Sequence, residues 1–280
     1  MKPAPFAYVR PSTLGEAVSA LVADPGAKVL AGGQSLVPLL SMRLAGPSTL
    51  VDINDLPGLD TVTLEEGGVR IGALARHAAV LASPDVRRVQ PLVTMALANV
   101  AHATIRNRGT TVGSLVHADA AAEMPVVLSL LGGSLEVEGP AGRRTIAAED
   151  LYVGPLESAL HHDEIAVSAY FPALAPDAGV AFEEIARRHG DYALVGVAAL
   201  VHGESVKVGY LSVSDVPTVV DLGGVAPEDM AEAALAALEP SADIHATAEY
   251  RTQLIRVLTP RVVAAARSHA RSRRAQEEHA

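Results

Sequence analysis

The sequence predicts a fold of mixed α-helices and β-strands, divided between two domains. The chain has 280 residues, of which 49% are hydrophobic, enough for two buried cores. Short apolar runs bounded by glycine and proline alternate with segments of helical periodicity. Residues 173–179 are rich in Pro, Ala and Gly, which predicts a domain boundary there.

The first part of the chain predicts a compact β–turn–helix–β unit. Ser12 or Thr13 caps a first helix with Glu16 in its opening turn, and Asp24-Pro25-Gly26 ends that helix. The remaining elements of this unit are expected as a strand at 28–31, a helix at 37–44 and a strand at 49–53.

The rest of the chain predicts further strands, helices and one hairpin. Up to the boundary we expect a strand at 69–73, helices at 92–100 and 120–131, a hairpin of 134–137 with 143–146, and a strand at 164–171. Beyond it, 181–186, 193–201 and 206–213 indicate either three strands or a strand–helix–strand unit, and 229–238 and 248–266 indicate helices. The last dozen residues, 269–280, predict a flexible tail.

Composition excludes several functional classes. Acidic residues outnumber basic ones by 32 to 22, giving a net charge of -10, which argues against a nucleic-acid partner and against an anionic membrane surface. The chain has no cysteine, so it holds no disulfide, thiolate zinc site or iron–sulfur cluster of its own. Residues 1–12 lack the apolar stretch of a signal peptide, and the longest apolar run is about half of a membrane span. We therefore expect a cytoplasmic protein with no membrane span.

Two glycine-bearing segments are the candidate ligand-binding segments of the chain. The first is Ala31-Gly32-Gly33-Gln34-Ser35-Leu36, and the second runs from Arg106 to Ser114. Small residues let backbone N–H groups approach a phosphate closely, so two such segments predict a ligand with an extended phosphate, such as a dinucleotide. The first segment has the spacing neither of a Rossmann turn nor of a nucleotide-triphosphate loop. A tight strand-to-helix turn that needs glycine only for its positive φ explains it equally well.

The second segment combines the hydroxyl groups of Thr110, Thr111 and Ser114 with Gly113 and two arginines. Arg106 and Arg108 either neutralise a phosphate or pair with acidic side chains at the surface.

A metal site near this segment is not favoured. His102, His117, Asp119 and Glu123 lie close together in sequence, but their spacing matches no metal-binding motif, so solvent-facing or hydrogen-bonding roles are expected. No side chain stands out as a catalytic acid, base or nucleophile.

Each of the two glycine segments is part of a longer sequence motif. The first continues through Pro38-Leu39 and Arg43-Leu44-Ala45 to Leu50-Val51-Asp52-Ile53-Asn54, and the second reaches His117-Ala118-Asp119. A third motif is Ala186-Arg187-Arg188-His189-Gly190-Asp191-Tyr192-Ala193-Leu194-Val195. Together these three ordered motifs resemble the FAD-binding medium subunit of molybdenum hydroxylases, of the carbon monoxide dehydrogenase and xanthine dehydrogenase type. The resemblance covers nearly the whole chain, including Ala248-Glu249-Tyr250-Arg251.

The resemblance implies an α+β fold with a two-part PCMH-type FAD-binding domain. That domain would span 1–174, with subdomains of about 1–56 and 57–174. A smaller α+β carbon monoxide dehydrogenase flavoprotein C-terminal domain would follow at 175–268.

The resemblance also implies the cofactor, FAD, and its contacts. The first motif would wrap the diphosphate, the second would contact the diphosphate and the flavin side, and Tyr192 would lie against the isoalloxazine ring, unless it is an ordinary core tyrosine. The implied cofactor-binding residues are Leu30, Ala31, Gly32, Gly33, Gln34, Ser35, Leu36, Val100, Thr110, Thr111, Val112, Gly113, Ser114, Asp119, Glu123 and Tyr192.

By the same resemblance, the chain passes electrons from iron–sulfur centres of a partner chain through FAD to an external acceptor. The implied partners are a small [2Fe-2S] subunit and a large molybdenum-cofactor subunit, assembled as a dimer of heterotrimers. A chain without cysteine agrees with clusters on a separate subunit. Two alternatives remain: a free-standing FAD-dependent oxidoreductase, and an accessory subunit that has lost its flavin.

The chain departs from the family pattern at two positions. Val112 stands where the family usually has the first glycine of a Gly-Gly-Ser sequence, and Ala120 stands where a proline is common. If the family uses that glycine at a positive φ, a β-branched valine costs on the order of 1–2 kcal/mol there or forces the loop to shift, and FAD binding is weakened or its pose altered.

Overall fold

Three sheets organise the protein, each with a hydrophobic core of its own. The structure is a computed structural model that describes residues 1–277. The sheets have three, five and four strands, and a separate two-stranded hairpin lies in the middle of the chain.

The first sheet is parallel, in the order β1-β3-β2, and forms the amino-terminal subdomain. Its helix α1 begins as expected, because Thr13 Oγ1 accepts the Glu16 N–H at 3.2 Å and the Glu16 carboxylate accepts the Ser12 N–H at 2.8 Å. The predicted β–turn–helix–β unit is confirmed, and β1 is an addition to it. The elements are β1 (Ala7–Val9), α1 (Leu14–Ala23), β2 (Lys28–Leu30), α2 (Leu36–Met42) and β3 (Thr49–Asp52).

The second sheet is antiparallel, in the order β4-β5-β10-β6-β7, with helices packed against it. Its strands are β4 (Val62–Glu65), β5 (Gly68–Gly72), β6 (Ser134–Gly139), β7 (Gly142–Ala147) and β10 (Ile165–Pro172); β8 (Tyr152–Gly154) and β9 (Glu157–Ser158) form the separate hairpin. Its helices are α3 (His77–Ala82), α4 (Pro84–Val89), α5 (Pro91–Leu97), α6 (Ala103–Arg106), α7 (Thr111–His117), α8 (Glu123–Leu131) and α9 (Ala148–Leu151). The predicted hairpin of β6 with β7 is confirmed.

The third sheet is an antiparallel meander, β11-β12-β13-β14, so the three-strand alternative is confirmed over the strand–helix–strand unit. Two helices complete this domain. The elements are β11 (Gly179–Ala186), β12 (Ala193–His202), β13 (Ser205–Leu211), β14 (Thr218–Asp221), α10 (Met230–Leu235) and α11 (Ala248–Glu277).

Helix α11 extends further than the sequence predicts. Residues 269–277 are helical where a flexible tail is expected, and residues 278–280 of that segment lie outside the described part of the chain. The extension has partners: Arg273 donates to the carbonyl oxygens of Ala175 and Ala178 at 2.7 and 2.8 Å, and His269 Nδ1 accepts the Val180 N–H at 3.1 Å. These bonds hold the end of α11 against the start of the third sheet.

The carboxy-terminal domain packs its sheet on α5 and α8 of the second subdomain, and its loops make further contacts. The Ser212 N–H donates to the Ala120 carbonyl at 2.9 Å. Gly190, at φ +86°, leaves so little room that a β-carbon there would lie 2.6 Å from His102 Nδ1. Tyr192 of the third motif also lies beside Asp119 of the second, so these two sequence motifs are neighbours in space. Within residues 1–277, no helix is both long enough and apolar enough to cross a membrane.

Candidate functional site

The two glycine segments meet face to face between the first two subdomains. A β-carbon added to Gly32 would lie 2.8 Å from the Gly109 Cα and closer still to the Arg108 carbonyl oxygen. Glycine at position 32 is therefore required by the close approach of two backbones, and the approach joins the end of β2 to the loop before α7.

The first segment presents a row of unused backbone donors. The N–H groups of residues 32 to 36 have no acceptor among the atoms of residues 1–277. Gly33 turns the chain at φ +71°, and the Ser35 hydroxyl makes no capping bond to α2. Leu30, at the end of β2, and Ala31 lead into this turn. Concave anion sites are built from consecutive backbone N–H groups of this kind, so a turn with five unpaired N–H groups fits a diphosphate.

Asn54 and Arg76 hold the two segments together. The Asn54 side-chain amide donates to the Ala31 carbonyl at 2.8 Å, and its oxygen accepts from Arg76 at 2.7 Å. Arg76 also donates to the Arg108 carbonyl at 2.6 Å. Arg76 is not predicted from the sequence, because it belongs to no recognisable motif. Asn54, by contrast, is the last residue of the longer first motif and lies just after β3.

A cavity of about 450 Å³ opens beside this network, lined by Asn54, Arg76, Asp55 and Asp60 among others. Its two aspartates make it a poor place for an anion.

The second segment is a capped helix start and not an open turn. Thr110 Oγ1 accepts the Gly113 N–H at 3.1 Å, and the buried Thr111 hydroxyl lies 3.3 Å from His77 Nδ1. Both hydroxyl groups therefore have internal partners, and Ser114 carries the half-buried hydroxyl of this segment.

Val112 is an ordinary helical residue. It is 2% exposed, belongs to the core of the second subdomain, and is not among the residues with positive φ. The condition under which valine would strain this position, a positive φ, is therefore not met, because the chain enters α7 here in a right-handed conformation. The Val112 N–H has no protein acceptor within the described residues, so it remains a possible donor to a ligand.

His77 packs beneath the second segment. Its backbone N–H donates to the Gly109 carbonyl at 2.9 Å, and a β-carbon at Gly109 would lie 2.8 Å from the imidazole ring. Burial, with a smaller contribution from the nearby Arg106 charge, lowers the pKa of His77 to about 4. The imidazole is therefore neutral at pH 7.

Arg106 and Arg108 of this segment differ in whether their side chains have a partner within the protein. Arg106 donates to the carbonyl oxygens of Val100 and Ala101 at 2.8 and 2.9 Å, so it fixes the loop where Ala101 adopts φ +43°. Neither a phosphate nor a surface acid is needed to explain it. Arg108 is exposed and its side chain has no partner within residues 1–277. Arg108 is the free cation nearest in sequence to the meeting point of the segments.

Acidic side chains gather where the second and third motifs meet. Asp119 closes its own turn by accepting the Ala121 N–H at 2.9 Å, so alanine at 120 leaves the turn intact. Glu123 begins α8 and is 9% exposed; burial, then the charges of Glu184 and Asp119, raise its pKa to about 8. Glu184 is missed by sequence reasoning because a single glutamate on a strand carries no pattern.

Tyr192 lies beside this cluster. The residue is 61% exposed, and desolvation together with the Asp119 carboxylate raises its pKa to about 12. The phenol is therefore neutral, and a large part of the side chain is open to solvent. Among the described residues, no three His, Asp or Glu side chains converge as metal ligands.

Comparison with known proteins identifies the family of the chain. Residues 4–174 match the family model of the FAD binding domain in molybdopterin dehydrogenase, and residues 180–266 match that of the CO dehydrogenase flavoprotein C-terminal domain. Among curated relatives, the 6-hydroxypseudooxynicotine dehydrogenase complex subunit alpha of Paenarthrobacter nicotinovorans is 39% identical, with 100% of each chain covered. The nicotine 6-hydroxylase medium subunit of the same organism is 38% identical over 94% of this chain and 98% of its own.

Solved structures show the same fold. A carbon monoxide dehydrogenase chain from Hydrogenophaga pseudoflava superposes with a TM-score of 0.91 at 31% identity, covering 96% of this chain and 99% of its own. A quinoline 2-oxidoreductase chain from Pseudomonas putida 86 superposes with a TM-score of 0.89 at 35% identity, covering 98% and 100%. The protein therefore belongs to the family of FAD-binding medium subunits of molybdenum hydroxylases.

Proposed function

We propose that this chain binds FAD and passes electrons from the iron–sulfur centres of a partner chain through the flavin to an external acceptor. The observation that carries the proposal is the row of unpaired N–H groups at residues 32–36, packed against the second glycine segment. FAD supplies the redox chemistry when bound, so the protein has to bind, orient and shield it.

The residues divide this work between them. The N–H groups from Gly32 to Leu36 and the Ser35 hydroxyl would hold the diphosphate, with Arg108 as an outlying counter-charge. The exposed side chain of Tyr192 supports a role against the isoalloxazine ring better than a core role. The full set proposed to contact FAD is Leu30, Ala31, Gly32, Gly33, Gln34, Ser35, Leu36, Val100, Thr110, Thr111, Val112, Gly113, Ser114, Asp119, Glu123 and Tyr192.

The partners are proposed from the composition and from the relatives. A chain without cysteine has to receive electrons from clusters held elsewhere. Its relatives are named as medium chains and as subunits of dehydrogenase complexes. We propose a small [2Fe-2S] subunit and a large molybdenum-cofactor subunit, assembled as a dimer of heterotrimers in the cytoplasm. We also propose the domain limits 1–174, with subdomains meeting near residue 56, and 175–268.

The two alternative functions are no longer favoured. The free-standing oxidoreductase and the flavin-free accessory subunit both rest on an altered second motif, and Val112 occupies an unstrained helical position. No other observation favours either of them.

Purification tests the proposal directly. The chain, expressed with its genomic neighbours, is expected to absorb at about 450 nm from bound flavin and to co-purify with a cysteine-rich chain. A folded protein that takes up no FAD on reconstitution would contradict FAD binding. Turnover of a small substrate by the isolated chain would instead support the free-standing enzyme.

A further inference from the structure

The carbonyl groups at the start of the first glycine segment are held by side-chain amides. The Ala31 carbonyl accepts from the Asn54 amide at 2.8 Å, and the Gly32 carbonyl accepts from the Gln34 amide at 3.0 Å. In a trans peptide the C=O and the N–H of one unit point in opposite directions, and residues 1–277 contain no cis peptide bond. Each amide therefore fixes the direction of the next N–H along the chain, that of Gly32 in the first case and that of Gly33 in the second.

This restraint matters because two of these residues are glycines. Without a side chain, Gly32 and Gly33 have access to backbone conformations that are closed to other residues, so the peptide units beside them rotate at little steric cost. Neither residue belongs to a helix or a strand that would fix those units. The direction of the N–H groups proposed to bind the diphosphate thus depends on the amide bonds behind the turn.

Asn54 is itself held from two sides. On one side its backbone N–H and its side-chain amide donate to Asp52 Oδ1 at 2.9 and 2.6 Å, and the other oxygen of that carboxylate accepts the Tyr8 hydroxyl. On the other side its oxygen accepts from Arg76 at 2.7 Å. Arg76 belongs to the second subdomain, where it also donates to the Arg108 carbonyl at 2.6 Å. The Asn54 amide therefore has little freedom to turn.

We propose that Asn54, oriented by Arg76, is a positioning residue for FAD, which aims the Gly32 N–H at the diphosphate without touching the cofactor itself. The inference rests on the proposed function, because it takes the diphosphate to bind at residues 32–36. Arg76 acts through the geometry of its guanidinium group, whose two terminal nitrogens hold Asn54 and the Arg108 carbonyl at once. A lysine keeps the charge but offers a single nitrogen in place of this fork, so substitution separates charge from geometry.

Titration of FAD into the apoprotein is the first measurement. We expect Asn54→Ala to weaken FAD binding by about 10-fold, because the freed peptide unit has to be ordered again when the ligand binds. Arg76→Lys is expected to weaken binding by about 3- to 10-fold, although the positive charge is kept. The double variant should lose less than the product of the two single losses, because both residues act on one peptide unit.

Phosphorus NMR of bound FAD separates positioning from a general loss of stability. With the protein saturated, the two diphosphate resonances report the N–H groups around them, and a variant that is merely less stable leaves them unchanged. We expect Asn54→Ala to shift at least one of the two resonances from its wild-type position. Weaker binding with both resonances unchanged would contradict a positioning role.

Arg144→Lys is the matched control. Arg144 lies on the edge strand β7 and, like Arg76, binds a side-chain oxygen and a backbone carbonyl, those of Glu164 at 2.7 Å and Ala159 at 3.0 Å. This variant should keep the FAD affinity and the phosphorus spectrum of the wild type.

The outcomes distinguish the inference from the proposed function. If Asn54→Ala binds FAD with the affinity and the phosphorus resonances of the wild type, the inference is overturned while the proposed function stands. Arg76→Lys tests the guanidinium even where Asn54→Ala does not fold, and full FAD affinity in that variant also overturns the inference. A folded wild-type apoprotein that binds no FAD would instead overturn the proposed function, and the inference with it.

Discussion

The two glycine segments look alike in sequence and differ in structure. Residues 31–36 form an open turn in which the N–H groups of residues 32–36 are unused, whereas residues 109–114 form a capped helix start whose two threonine hydroxyl groups are bonded inside the protein. The first segment presents its backbone to a ligand. The second segment mainly packs against the first, and its Val112 side chain lies in the hydrophobic core.

The difference shows what glycine does in each segment. Gly32 allows two backbones to touch, and Gly109 makes room for the His77 ring. Position 112 needs neither a positive φ nor a close approach, so a β-branched residue is accepted there. The two segments are similar in composition, but their glycines meet different physical requirements. Substitutions in the two segments should therefore have different consequences.

The largest combined effect, on stability and FAD affinity together, is expected for Gly32→Ala. The new methyl group would overlap the Arg108 carbonyl and the Gly109 Cα, which forces the two segments apart. We expect a loss of about 2–3 kcal/mol in the free energy of unfolding and at least about 100-fold in FAD affinity. Urea denaturation and FAD titration measure the two losses.

Gly46→Ala is the control for this substitution. Gly46 lies in the loop after α2, and a β-carbon there meets no atom within 4 Å, so stability and FAD affinity should stay close to the wild type. A Gly32→Ala protein with full FAD affinity would show that the two segments do not need their close contact.

Val112→Gly separates the two views of the second segment. If valine strained the backbone, glycine would stabilise the protein. Because Val112 is helical and buried, we expect glycine to lower the free energy of unfolding by about 3 kcal/mol, from the lost core contacts and the poorer helix propensity. Chemical denaturation of the apoprotein decides the sign, and a stabilised variant would restore the strained-valine hypothesis.

His77 gives the second segment a pH dependence that the first lacks. Its folded-state pKa is lowered to about 4 from an ordinary 6.5, so the unfolded chain binds the proton more readily as pH falls. We expect the stability to be complete above pH 6.5 and to decline by up to about 3 kcal/mol towards pH 4. Denaturation curves of the wild type and His77→Gln between pH 4 and pH 7 measure this contribution.

The matched control replaces an exposed histidine. His162 lies on an exposed turn and makes no ion pair within residues 1–277, so His162→Gln should keep the pH profile of the wild type. A wild-type profile in His77→Gln as well would mean that His77 is not the group responsible.

Local patterns predict several elements of the fold, and long-range contacts account for features of the site that such patterns miss. The helix cap at Thr13, the hairpin of β6 with β7 and the glycine turn after β2 are each encoded within a few residues, so the sequence predicts them. The bridge from Asn54 through Arg76 to the Arg108 carbonyl joins positions 22 and 32 residues apart.

Two further features of the site depend on packing between distant parts of the chain. Glu184 becomes a candidate only because the third sheet packs on α8, and residues 269–277 are helical where Arg273 reaches carbonyls about a hundred residues away. A single sequence carries no periodic signal for such pairs.

The smallest effects test the two hydroxyl groups against each other. Thr110 Oγ1 caps α7, so Thr110→Ala is expected to lower the free energy of unfolding by about 1 kcal/mol and to change FAD affinity little. The Ser35 hydroxyl makes no capping bond, so Ser35→Ala should leave stability within about 0.5 kcal/mol and weaken FAD binding by about 3- to 10-fold, as expected for one lost hydrogen bond. Paired urea denaturation and FAD titration of both variants make the comparison. If Thr110→Ala lost the affinity and Ser35→Ala lost the stability, the roles assigned to the two segments would have to be exchanged.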